Sequence, residues 1–152
     1  MEDEIKELFA RVPQNIVLVF CQKNSDIYGC TISSLASSSI FENKCFVSFS
    51  LRSGSVMEKL IKNEDNVYIC FLSKNQTELA KHFVTSRSLP TKETSLKDLT
   101  KGCLALITGR IILKSRVGGS FLYAVEFLEI SESDYRQQGL LYLNREFQNS
   151  DI

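Results

Sequence analysis

The chain has 152 residues, 43% hydrophobic and 24% charged, with a formal net charge of zero, which fits one globular domain with its own core. That balance gives no electrostatic footprint for nucleic acid or an anionic membrane surface, and no apolar run approaches the roughly 20 residues of a membrane helix. Five widely spaced cysteines (Cys21, Cys30, Cys45, Cys70, Cys103) without a C-x-x-C pair give neither a disulfide framework nor a zinc site, and imply a reducing, cytoplasmic setting.

The acidic start "MEDEIKELFARV" lacks the basic flank and apolar stretch of a secretion signal. Ile5, Leu8 and Phe9 fall at helical spacing, and Pro13 ends that helix. "NIVLVFCQ" (15–22) reads as a short buried strand bounded by the turn-like "KNSD", and a second strand begins at Ile27. "KCFVSFSL" (44–51) alternates, placing Cys45, Val47, Phe49 and Leu51 on one face and Ser48 and Ser50 on the other. "SVMEKLIK" predicts a short helix in which Ser55 and Glu58 form a capping box. "NVYICFL" (66–72) is another buried strand, and "NQTELAKHF" a helix capped by Asn75 with Leu79 and Phe83 on one side. Residues 84–102 read as loop, with a short turn after Ser95. Two long strands follow, "CLALITGRIILKS" and "SFLYAVEFLEI", joined by the hairpin "RVGG". "LLYLN" (140–144) closes the fold, and residues 148–152 form a tail.

Small helices lie between strands without strict βαβα alternation, and no G-x-G-x-x-G or Walker-type loop appears. The expected fold is mainly β (α+β): one domain over 1–152, a small antiparallel barrel with short helices packed at its edges.

Within that fold, "YGCTISSLASSSIF" (28–41) is unusual. Six of the nine residues from Thr31 to Ser39 are Ser or Thr. Strand alternation turns Tyr28, Cys30 and Ile32 to one, core-like face and Gly29, Thr31 and Ser33 to the other, where a flat ligand could lie. Gly29 adds a point of close approach. Past Ser34 the alternation is lost and the chain is expected to turn. The alternative reading is a serine-rich loop whose hydroxyls bond their own backbone. Shortly after, Arg52, Ser53, Gly54 and Ser55 precede a helix, a pattern suited to phosphate but also to ordinary capping. Together the two stretches suggest a phosphorylated aromatic ligand.

At these residues the sequence resembles the flavin reductase-like, FMN-binding split-barrel family. "YGCTISSLASSSIFENKCFVSFSL" is similar to that family's G-x-T-x-S-S-x-x-S-x-S and following strand, and "SGSVMEKLIKNEDNVYICFLSKNQTELAKHF" and "GLLYLNREF" continue the likeness over about residues 12–147. The resemblance implies a split barrel, a homodimer binding FMN (or FAD) at its interface, and NAD(P)H as co-substrate, with electrons passed to oxygen, an oxygenase or another acceptor. It places Thr31, Ser33 and Ser34 at the isoalloxazine, Ser53 and Ser55, with Arg52 nearby, at the phosphate, and Phe83 near the ring; Gly29, Ile32 and Gly54 complete the expected cofactor-binding set. Two departures stand out. The family's Pro-Pro before the third strand is "FEN" here, and "VGGSFLYAVEF" carries no histidine where many members contact nicotinamide. His82 could be proposed in its place, although a lone histidine on a short amphipathic helix is more often a surface or packing residue. A non-catalytic FMN-binding or electron-transfer protein, and a split barrel without flavin that uses its groove for haem or protein contact, remain as alternatives.

Overall fold

A computed structural model describes residues 1–91, 94–143 and 145–149. A first helix, α1 (Glu2–Arg11), leads through β1 (Gln14–Asn15) into β2 (Val17–Lys23), β3 (Asp26–Ile32), β4 (Ala36–Phe41) and β5 (Lys44–Arg52). Then come α2 (Val56–Leu60), β6 (Asn66–Phe71), α3 (Thr77–Thr85) and α4 (Leu96–Leu99). The long strands β7 (Ala105–Val117) and β8 (Ser120–Ser133) and the short β9 (Leu140–Leu143) and β10 (Glu146–Asn149) complete the chain.

An antiparallel sheet of order β3-β2-β6-β7-β8-β5-β4 curls around one core, beside a small sheet of order β1-β9-β10. The strand sequences explain both the curl and its cover. β2 is apolar without alternation because both its faces are buried. Val17, Val19 and Cys21 point into the barrel with Phe49, Ile69 and Tyr123, while Leu18 and Phe20 point out beneath Ala80 and Phe83 of α3. β5 alternates because only one face is buried: Val47, Phe49 and Leu51 join the interior, and Ser48 and Ser50 turn outward.

The barrel closes between β3 and β5 without a strand ladder. Ile32 and Leu35, just past the first of these, share the interior with Val47 and Leu51 of the second. The Ser34 hydroxyl stitches the seam, donating to the Ser50 carbonyl at 3.2 Å and accepting from the Ser50 amide at 3.0 Å. A mainly β barrel, split along this seam and flanked by short helices, is therefore the architecture.

Several local expectations change. The stretch after Ser34 does not simply turn: Ala36–Phe41 is an edge strand, fully exposed, with a bulge between Ser37 and Ser39. Edge pairing draws on backbone groups, so a serine-rich segment can satisfy it. The helix after Leu72 is capped by Ser73 and Gln76 rather than Asn75. The Ser73 amide donates to Gln76 Oε1 at 3.0 Å, and the same buried side chain donates to the Thr100 carbonyl at 3.3 Å. Residues 148–149 of the expected tail belong to β10, which pairs with β9; residues 150–152 lie outside those described. At its start, α1 buries no residue; its Glu7 makes an exposed ion pair with Arg145 at 3.1 Å.

Candidate functional site

The seam between β3 and β5 opens into a groove of about 680 Å3. That is the size range of small-molecule sites. Its walls come from the end of β3 (Cys30 to Ser34), the end of β5 (Ser50 to Arg52), the start of α2 (Ser55 to Met57), the end of α3 with the residues beyond it (Val84, Thr85, Arg87), and Ser120 of β8. Two arginines and a set of hydroxyls face this space, and no carboxylate lines it. Such a lining favours an anion with hydrogen-bonding substituents.

The Arg52–Ser55 loop is rigidly specified. Gly54 has φ +81°, a left-handed conformation that suits glycine. The Ser53 amide donates to the Gly119 carbonyl and the Ser55 amide to the Arg52 carbonyl, at 3.0 and 3.1 Å. Ser55 Oγ caps α2 by accepting from the Glu58 amide at 3.3 Å, but Glu58 Oε1 returns to the Gly54 amide at 3.0 Å rather than to that of Ser55, so the expected capping box is displaced by one residue. Lys114 Nζ fixes Glu58 from the barrel wall, reaching Oε2 at 3.1 Å and the carbonyls of Glu58 and Ile61 at 2.8 and 3.0 Å. The Gly54 amide, and then Lys114, hold the Glu58 carboxyl below its usual pKa.

Arg87 is placed by long-range pairing. Its carbonyl accepts from the Gly29 amide at 2.8 Å, the next residue, Ser88, bridges Tyr28, and its guanidinium donates to the Phe83 carbonyl at the end of α3. Beside it, burial pushes the Cys30 thiol up to about 12, with Arg87 only partly opposing. A neutral thiol of this kind forms part of the groove floor and is no nucleophile.

Of the residues singled out in the sequence, Thr31, Ile32, Ser33, Ser34, Arg52 and Ser55 meet in this groove. Their capacities differ. Thr31 Oγ1 donates to the Ala80 carbonyl at 2.6 Å, so it offers a ligand only its lone pairs and methyl group. Ser34 is committed to Ser50. Ser33 is exposed, with no hydroxyl partner among the described residues. Ser53 and Gly54 shape the loop without lining the groove. Gly29 is buried under α3, where a Cβ would lie 2.6 Å from the Phe20 ring and 3.1 Å from the Phe83 ring.

Phe83 itself is 0% exposed and packs edge-on to Phe20 with centroids 5.2 Å apart, so its ring belongs to the core. His82 lines neither this groove nor its neighbour; its Nε2 lies 2.9 Å from the Ser88 carbonyl. Sequence reasoning missed Arg87, Ser50, Thr85 and Ser120. Ser50 was legible as an outward position of an alternating strand, whereas nothing local marked Arg87. Among the described residues no cluster of His, Cys, Asp and Glu could hold a metal ion, and no helix is long and apolar enough to cross a membrane.

Fold and groove together define a class: an antiparallel split barrel with an anion-ready, hydroxyl-lined cleft at its seam. Compared with models of protein families, residues 9–151 match the flavin reductase like domain, and the chain belongs to that family. Among solved structures it is similar to flavin reductase PheA2 in its native state (TM-score 0.84, 18% identity, covering 100% of this chain and 99% of that one). It is also similar to the NADH:FAD oxidoreductase SgcE6 of Streptomyces globisporus C-1027 (0.84, 16%, 99% and 94%). A third likeness is to the styrene monooxygenase flavin reductase of Pseudomonas putida S12 (0.80, 17%, 98% and 98%). Curated protein sequences provide no significant match.

Proposed function

We propose that the chain is a flavin reductase that binds FMN in the seam groove, takes hydride from NADH or NADPH and delivers electrons to an oxygenase or another acceptor. The observation that carries this reading is the groove lining: Arg52 and Arg87 among hydroxyls, without a carboxylate, in a cleft of about 680 Å3. Those residues fit a flavin phosphate and ribityl chain, and the exposed Val56 and Val84 on the same lining offer a ring system apolar contact. FAD carries the same flavin half and fits equally at this end.

Bound flavin supplies the redox chemistry, accepting hydride from reduced nicotinamide and passing electrons on. The protein's share is positioning. Arg52 and Arg87 hold the phosphate by charge-assisted hydrogen bonds. Ser33 is the free hydroxyl for a polar ring edge, since those of Thr31 and Ser34 are already committed. The Lys114–Glu58–Gly54 chain of contacts keeps the phosphate loop in shape.

A homodimer completes the site. Ile40 and Phe41 of β4 are 84% and 63% exposed, and Leu122 and Ala124 point outward beside Ser48 and Ser50. The Ser50 end of this wall borders the groove, while Ile40 and Phe41 lie toward its other end opposite Cys45 and Lys44, and a second copy laid along the wall would reach both. An oxygenase as acceptor is in keeping with the likeness to the styrene monooxygenase flavin reductase.

A non-catalytic FMN-binding protein is the second reading. It is favoured by the lack of a histidine in residues 117–127 and by His82 lying outside the groove. The spectrum of the purified protein with FMN, followed by anaerobic addition of NADH or NADPH, separates these. The expected result is a bound flavin spectrum that bleaches. Bound flavin that stays oxidised supports the second reading, and no flavin binding at all sinks both in favour of haem or protein contact.

A further inference from the structure

Lys114 of β7 lies opposite Tyr123 of β8 and lines neither the seam groove nor its neighbour. Its side chain is only 17% exposed, and its ammonium packs over the Phe121 and Tyr123 rings, 5.0 and 5.5 Å from their centroids. An ammonium has three N–H groups. Each finds an acceptor on or just after α2: the Glu58 carbonyl at 2.8 Å, Glu58 Oε2 at 3.1 Å and the Ile61 carbonyl at 3.0 Å. Glu58 is equally enclosed, at 12% exposed. Withdrawing both charges from water is costly, so stability alone is a poor reason for the pair. Nor does α2 need it to stay in place, because Met57 and Ile61 anchor that segment in the core.

What the pair adds to packing is direction. Held through Oε2, Glu58 turns Oε1 onto the Gly54 amide at 3.0 Å, at the one residue of the Arg52–Ser55 turn with a left-handed backbone. Arg52 and Ser55, which flank that point, are the two residues of the turn that line the seam groove. We propose that Lys114 is a positioning residue for phosphate: acting through Glu58 and Gly54, it sets the arrangement of Arg52 and Ser55 that distinguishes FMN from unphosphorylated riboflavin. Placing the phosphate at this turn rests on the flavin reading of the groove. Lys114 stays out of reach of the ligand. Its effect is that the turn is already formed when phosphate arrives, so less ordering is lost on binding. Val56, which borders the groove for the ring, stays with the anchored helix, so riboflavin does not draw on Lys114.

Fluorescence titration of FMN and of riboflavin into the parent, Lys114→Met, Glu58→Ala and the double variant tests this. Lys114→Met should weaken FMN about tenfold, the scale of one hydrogen bond, and leave riboflavin within about twofold. Glu58→Ala should do the same. The double variant should lose no more than either, because the residues act in series. A plain field effect has the opposite signature, since removing the Glu58 charge would then tighten FMN. That result overturns the proposal, as do equal losses for the two flavins or losses that add. Amide exchange of the ligand-free protein gives a second readout: Gly54 should exchange about tenfold faster in Lys114→Met, while β6 keeps its protection and shows that the fold is intact. Unchanged Gly54 exchange overturns the proposal even where FMN is weakened. A parent that binds neither flavin sinks the flavin reading instead, and Gly54 exchange then decides by itself whether Lys114 sets the turn.

Discussion

The two outer walls of the barrel are built from similar strands yet finished differently. On β2 and β6, outward-pointing Leu18, Phe20 and Cys70 are buried with Phe83 of α3. Across the barrel, every residue of β4 is exposed, and outward-pointing Phe46, Ser48, Leu122 and Ala124 are only half-buried. The first wall is closed by the chain itself and bears on folding. The second is left bare and bears on association only under the proposed homodimer reading, and the candidate flavin groove lies on the seam between them.

Changes on the covered wall should therefore unfold the protein. Phe83→Ala removes a fully buried ring and should cost about 3–5 kcal/mol, read as a fall in denaturant midpoint. A cost under about 1 kcal/mol would mean that α3 is a dispensable cover. Gly29→Ala tests the same wall from beneath, since the added Cβ would crowd the Phe20 ring at 2.6 Å. Overpacking of this kind should cost about 1–3 kcal/mol, and a neutral result would show that the ring can move aside.

Changes at the seam should spare the fold and act on the ligand. Arg52→Ala and Arg87→Ala should each weaken FMN by about 10–100-fold, the loss of a charged hydrogen bond of roughly 1.5–3 kcal/mol. Riboflavin, which has no phosphate, should bind each variant nearly as it binds the parent. Equal losses for the two ligands would move the phosphate away from these arginines. Of the pair, Arg87 should matter more, because it is half-buried and already oriented by Phe83, whereas Arg52 is exposed and must be ordered on binding.

On the bare wall, Ile40→Asp with Phe41→Asp should leave the monomer's unfolding free energy within about 0.5 kcal/mol, since exposed substitutions usually do. The same variant should sediment as a monomer and bind flavin less tightly. A parent protein that is itself monomeric, or a variant that still dimerises, would remove the second copy from this wall.

The contrast between the walls also marks what could be read from the sequence. The continuous apolar run of β2 and the alternation of β5 announced strands buried on two faces and on one. The inward set Tyr28, Cys30 and Ile32 followed from the same alternation. The serine-rich strand β4 escaped notice because an exposed edge needs backbone partners and no apolar period. Thr31 and Ser33 fell on one expected ligand face, yet the Thr31 hydroxyl is taken by Ala80, 49 residues further on. Phe83 carried a family position near the ring and proved to be core, because its helix turns it onto Phe20. Arg87 reaches the groove only through pairing with Gly29 and Tyr28, a contact across a helix that no local pattern encodes.

The smallest expected effect lies on the bare wall and concerns charge. Glu126 points outward from β8 between Lys44, at 3.0 Å, and Arg110, at 3.1 Å. Lys44 first, then Arg110, hold its carboxyl below the ordinary glutamate value, against the opposing effect of burial. A carboxyl whose pKa is lower in the folded chain stabilises the fold above its unfolded value of about 4.3, and this contribution fades as pH falls through the lowered folded value. Wild type and Glu126→Gln should therefore differ near neutral pH and converge as pH falls below that lowered value. The difference should also shrink with added salt, because the Lys44 and Arg110 side chains are 57% and 43% exposed. A gap that survives both acid and salt would mean that Glu126 acts by packing against Phe46, its cross-strand neighbour, and that the bare wall is held together without its charges.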